Sequence, residues 1–136
     1  MKIILTISIV LLFGCSSAPY ALLDGERSLV VDPDNYDVYV VSVDDKLIFD
    51  KRRRLMLKPG SYRITLGSTR PQVSLGQPEY KEIILNAKPC MRYVLSAQHE
   101  NNLSLADPSW EILVLDERII KECARSMKNS EKISGS

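Results

Sequence analysis

The sequence predicts an all-β protein, a small antiparallel β-sandwich of about seven strands. Short runs rich in β-branched and aromatic residues recur between Tyr36 and Leu115, and Gly, Pro, Asn and Asp clusters separate them. No stretch shows a long amphipathic helical period. At 136 residues there is room for one core, which excludes a multi-domain enzyme. With 18 basic and 17 acidic side chains, the chain lacks the strongly basic surface that a dedicated nucleic-acid binder requires, so no nucleic-acid partner is expected.

The amino end reads as an address. Met1-Lys2 precedes an apolar run from Ile3 to Phe13, the pattern of an export signal. Eleven helical residues reach about 17 Å, too short for a hydrocarbon core about 30 Å thick. Leu12-Phe13-Gly14-Cys15 resembles the bacterial lipobox. That resemblance implies cleavage after Gly14, diacylglycerol on the Cys15 sulfur and acylation of the new amino group, making residues 1–14 a lipoprotein signal peptide. An ordinary secretory signal cut near Ala18 is the rival reading. Several acyl chains exceed the two-signal threshold for stable anchoring, at about 0.8 kcal/mol per buried methylene. In Gram-negative lipoproteins an Asp after the acylated cysteine signals inner-membrane retention. Ser16 in that position implies the outer membrane, facing the periplasm.

Each element of the mature chain has a local reason. Residues 15–34 read as a lipidated tether with a first strand at Ser28–Val31, ended by the turn residues Asp32-Pro33-Asp34-Asn35. Residues 35–124 form the predicted sandwich. Tyr36–Val43 is one strand, Asp44-Asp45 turns, and Lys46–Phe49 returns as a hairpin. Leu55–Leu57 leads into Lys58-Pro59-Gly60, where proline presets φ and glycine accepts a positive one. Ser61–Leu66 alternates, with Tyr62, Ile64 and Leu66 toward the core. Gly67–Pro78 reads as a long loop. Lys81–Leu85 is the next strand, Asn86–Pro89 a turn, and Met91–Ala97 a strand with Met91, Tyr93, Leu95 and Ala97 on one side. Glu100–Ser109 reads as a second loop before the strand Trp110–Leu115. Asp116–Cys123 reads either as the end of that strand or as a helical turn, and residues 125–136 as a flexible polar tail.

Cys15 assigned to lipid leaves Cys90 and Cys123 as one pair in an oxidising compartment. A zinc site would want four ligands, and two thiols with the single His99 fall short. No metal or other cofactor is expected. His99, beside Glu100, is a candidate base without an evident nucleophile and reads as a solvent-exposed loop histidine. Asp44, Asp45 and Asp50 lack calcium-loop spacing and read as turn formers. Lys51, Arg52, Arg53 and Arg54, reinforced by Lys58, form the one dense charge run. They are candidates for binding lipid phosphates, lipopolysaccharide or an acidic partner. The plainer reading is a solvated edge strand that resists aggregation. Tyr93 and Trp110 are candidates for stacking on glycan, with the sandwich core as the plainer reading.

Val41-Ser42-Val43-Asp44-Asp45 and Leu57-Lys58-Pro59-Gly60-Ser61-Tyr62-Arg63-Ile64 resemble the turn motifs of PEGA-type and carboxypeptidase-regulatory-like β-sandwich modules, over roughly residues 37–86. The rest of the chain resembles small proteobacterial lipoproteins. The first resemblance implies a noncatalytic envelope domain. The expected function is therefore an outer-membrane lipoprotein serving as a protein-binding or scaffolding module of the envelope. A glycan, peptidoglycan or lipopolysaccharide reader is the alternative. Expected partners are the membrane, through the lipid, and an envelope protein.

Overall fold

In the computed structural model, which describes residues 18–71, 78–100 and 109–135, two sheets pack face to face. The described elements are β1 (Ala21–Asp24), β2 (Asn35–Tyr36), β3 (Val38–Val43), β4 (Lys46–Leu47), β5 (Arg54–Leu57), β6 (Gly60–Ser68), β7 (Lys81–Ala87), β8 (Met91–His99), β9 (Trp110–Ile119) and α1 (Lys121–Ser134). The predicted β-sandwich is what the chain forms, with nine described strands: β4 is the predicted hairpin return, shortened, while β1 lies upstream of the predicted first strand and β2 separates from the predicted Tyr36–Val43 run.

The first sheet is built around β8. One edge of β8 pairs antiparallel with β9 along its whole length, from Met91↔Ile119 to His99↔Trp110. Its other edge takes β1, in parallel, and then β2. β5 closes the sheet against β1, antiparallel. The second sheet runs β4-β3-β6-β7, antiparallel throughout. The parallel β1–β8 pair departs from the antiparallel expectation. It is open to strands far apart in sequence, since parallel neighbours need a long connection.

Alternation puts Val38 and Val40 of β3, Ile64 and Leu66 of β6, and Leu85 and Ala87 of β7 opposite Leu23 of β1 and Tyr93, Leu95 and Ala97 of β8. That is the core, and the predicted inward faces of β6 and β8 are part of it. The Asp44-Asp45 turn is confirmed. Both residues take positive φ, 47° and 66°, as a two-residue hairpin turn requires. Gly60 sits at φ 155°, in the region that favours glycine.

Three sequence expectations need correction. Ser28–Val31 is not a strand: the N–H groups of Ser28 and Leu29 donate to the side chains of Asp37 (3.0 Å) and Asn35 (2.7 Å), and Asp32 N–H closes a turn on Leu29 O at 3.0 Å. Side chains have captured the donors a ladder would use, and Val30 and Val31 face solvent. The first strand lies upstream, at β1. β6 extends into the expected 67–78 loop, through Gly67 and Ser68, because Gly67 pairs with Tyr39 and leaves room for its ring. The segment read as a polar tail is helical from Lys121 to Ser134. It contains no Pro or Gly and is rich in good helix formers. Ile120, its N-cap, makes no side-chain capping bond, so the usual start signal is missing from the sequence.

Candidate functional site

The two long sides of the sandwich differ. Along one, the chain between β4 and β5 stitches the sheets together: Val40 N–H donates to Arg52 O at 2.7 Å, Ile48 N–H to Val41 O at 2.8 Å, and Gly25 N–H to Arg53 O at 2.8 Å. Along the other, β7 and β9 end their sheets without pairing to each other. Among the described residues β9 pairs only with β8. Ten residues of backbone therefore present alternate N–H and C=O groups outward.

A cleft of about 300 Å³ lies between these edges, lined by Ile83, Ile84, Leu85, Tyr93, Leu95 and Val114 together with the polar side chains of Asn86, Lys88 and Glu117. Both ends are pinned. Trp110 Nε1–H donates to Glu79 O at 2.9 Å, while Tyr93 O–H donates to Asn86 O at 3.0 Å and accepts from Lys88 N–H at 2.9 Å. Between the pins the register of β9 skips Leu115, opposing Val94 with Asp116 and Leu95 with Val114. That bulge sets Val114 and Glu117 on the cleft side, opposite Leu95 and Tyr93. Ile84 and Val114 remain exposed at 61% and 48%. The arrangement offers a cleft with apolar side chains beside the free outer edge of β9, the requirements for adding a partner strand.

Most of the dense basic run is paired within the protein. Arg52 forms a forked contact with Asp50, Arg53 reaches Asp37 at 3.2 Å, and Arg54 contacts both Asp24 (3.4 Å) and Glu26 (3.1 Å). Lys51 lies 5.6 Å over the Tyr39 ring. Lys58 stays exposed at the β5–β6 turn. Lys51 and Arg53 also line a cavity of about 370 Å³ with Tyr39, Ser68, Thr69 and Arg70. The Tyr39 hydroxyl there is held above its ordinary pKa by burial and by Tyr80.

His99 corrects the sequence reading. It ends β8 and is buried, stacked near Trp110 and edge-on to Tyr36. Its ring bridges Ser68 Oγ (2.8 Å from Nε2) and Arg70 Nη1 (3.0 Å from Nδ1). A guanidinium only donates, so Nδ1 accepts and the ring proton sits on Nε2, aimed at Ser68. In that tautomer the ring donates to the hydroxyl and has no lone pair with which to take its proton.

Tyr93 and Trp110 are core residues, at 4% and 2% exposure. This burial leaves neither ring a free face for a sugar, which corrects the stacking candidacy. Cys90 and Cys123 form a disulfide, with Cα atoms 5.3 Å apart. Cys15 lies outside the described residues. Among those residues no cluster of His, Cys, Asp or Glu is suited to a metal, and no helix is long and apolar enough to cross a membrane. The chain matches no family model, no curated protein and no solved structure.

Sequence reading missed one further cluster. Asp24 has no exposed surface and accepts a forked pair from Arg92, with Arg54 and the Glu26 N–H (3.0 Å) also on it. Burial alone would push its carboxyl up, but Arg92, the Glu26 amide and Arg54 together hold it below the ordinary value. Residues 30 and 68 positions apart meet here only because β1 lies between β5 and β8.

Proposed function

We propose that this protein is a lipid-anchored, noncatalytic binding module of the bacterial cell envelope that receives an extended segment of a partner protein along β9. Cys15 supplies the anchor, in the outer membrane with the sandwich facing the periplasm. The observation that carries the reading is the open side of the sandwich: a ten-residue strand whose outer edge has no partner among the described residues, beside a cleft of mixed apolar and polar lining, opposite a side that is closed. Interfaces of this kind take affinity from main-chain bonds and selectivity from pockets for alternate side chains. The expected partner sequence alternates apolar and polar residues.

The test has two arms. A photo-crosslinking residue at Val114 should trap an envelope protein in living cells, while the same residue at Phe49, on the closed side, should not. Equal adducts at both positions would reject the docking edge. Fatty-acid labelling should be lost in Cys15→Ala, and persistent labelling would reject the anchor.

A second reading has its own observation, the basic cavity formed by Lys51, Arg53 and Arg70 with the Ser68 and Thr69 hydroxyls. It suits phosphate or carboxylate groups of envelope glycan or lipopolysaccharide. Recovery of the protein on purified sacculus, lost in Lys51→Gln, would favour it over a protein partner.

A further inference from the structure

Helix α1 holds the basic surface that the dense run of Lys51–Arg54 does not leave free. Lys121, Arg125, Lys128 and Lys132 follow one another at spacings of four, three and four. At about 100° per residue these positions fall on a single stripe of the helix. All four are exposed, and among the described residues none has a carboxylate within ion-pair distance. The acids of the helix, Glu122 and Glu131, lie off the stripe. The side turned toward the body is different again: Cys123 is bonded to Cys90, and Met127 Sδ lies 3.3 Å from Cys90 Sγ.

The position of α1 says which surface lies near the helix. The first turns of α1 meet the start of the described chain: Cys123 Sγ is 3.8 Å from Tyr20 O, and Ala18 and Tyr20 share a small cleft with Glu122, Cys123 and Ser126. Cys15 is three residues before Ala18, so its Cα can be no more than about 11 Å away. An acylated Cys15 therefore tethers the first turns of α1 to within about one to two Debye lengths of lipid headgroups, one length being about 8 Å at physiological salt.

We infer that α1 lies on anionic phospholipid headgroups, its Lys121, Arg125, Lys128 and Lys132 stripe pairing with lipid phosphates. It thus fixes how the sandwich stands on its membrane. The inference rests on the reading that Cys15 is acylated. The disulfide holds the helix in place for this contact, and one orientation of the body follows instead of free rotation about a short tether.

The full-length acylated protein, returned to vesicles, tests this. Vesicles of phosphatidylcholine alone are compared with vesicles containing phosphatidylglycerol, and backbone hydrogen exchange is followed over residues 121–134. Each basic side chain at an anionic surface raises partitioning about fivefold. Exchange in α1 should slow by about tenfold or more on the anionic vesicles only. High salt and the combined Lys121→Gln, Arg125→Gln, Lys128→Gln, Lys132→Gln variant should each abolish the slowing, with exchange in β8 unchanged. Equal exchange on the two vesicle types would overturn the inference, as would slowing that inorganic phosphate reproduces on neutral vesicles. Flotation with neutral vesicles reads the anchor separately. Protein that fails to float there refutes acylation, while exchange on anionic vesicles still decides the helix.

Discussion

Removing the disulfide should melt α1 and leave the sandwich standing. Cys90 and Cys123 are 33 residues apart, and the loop-closure relation assigns a crosslink of that span about 12 cal/mol/K, or about 4 kcal/mol at 25 °C. That figure is a ceiling, because the native state also gains freedom when the bond is absent. Cys123 is the only buried residue of α1, and a 14-residue helix without a packed face is marginal in water. The freed helix should fray, which offsets part of the loss and brings the expected cost to about 2–3 kcal/mol. At an m-value of about 1.5 kcal/mol/M this shifts the urea midpoint by about 1.3–2 M. The assay is the Cys90→Ser, Cys123→Ser double variant, followed by far-ultraviolet circular dichroism at 222 nm and by Trp110 fluorescence. Trp110 pairs with His99, at the far end of the β8–β9 ladder from Cys90, so its emission should stay blue while the helical signal falls. A helical signal that survives, or a tryptophan that becomes exposed at the same time, would refute the reasoning.

Three further outcomes are expected. Asp24 has a folded pKa below its unfolded value, so its contribution is fully present above about pH 4 and is lost as pH falls through the folded value; Asp24→Asn should cost about 3 kcal/mol at neutral pH and flatten the acid limb of a stability-against-pH curve. Gly67→Ala would place a Cβ 2.4 Å from the Tyr39 ring, so urea denaturation should show a loss of about 1–3 kcal/mol, with displacement of Tyr39 visible by NMR. Val114→Lys, on an exposed edge position, should leave the thermal midpoint within a few degrees of the parent yet abolish crosslinking to the partner from a probe at Ile84; retained crosslinking would count against the cleft.

Strand positions were legible wherever a period of two coincided with turn chemistry. Ser61–Leu66 and Met91–Ala97 alternate cleanly and are flanked by Pro-Gly or Lys-Pro, so their inward residues could be read directly. Ser28–Val31 misled because β-branched composition is shared by strands and by exposed turns; what separates them here is the capture of backbone donors by Asn35 and Asp37, several residues away. His99 misled for the opposite reason. A lone histidine beside Glu100 looks solvated until β6 brings Ser68 and Arg70 onto its ring. Helix α1 was hidden by its polarity and its missing cap, although the four basic residues of its stripe stand in the sequence at helical spacing.

Local order along the chain determined the sandwich class, the hairpin turn at Asp44-Asp45, the inward faces of β6 and β8, and the pairing of the two cysteines left after Cys15. Those follow from φ preferences, from side-chain alternation and from counting thiols, none of which needs a distant partner. Only the tertiary structure decided which of the described basic residues are ion-paired, which side of the sandwich is stitched shut, and where α1 stands relative to Tyr20. These depend on contacts between residues tens of positions apart, such as Arg92 with Asp24 and Cys123 with Tyr20, and such contacts exist only once the two sheets have closed on each other.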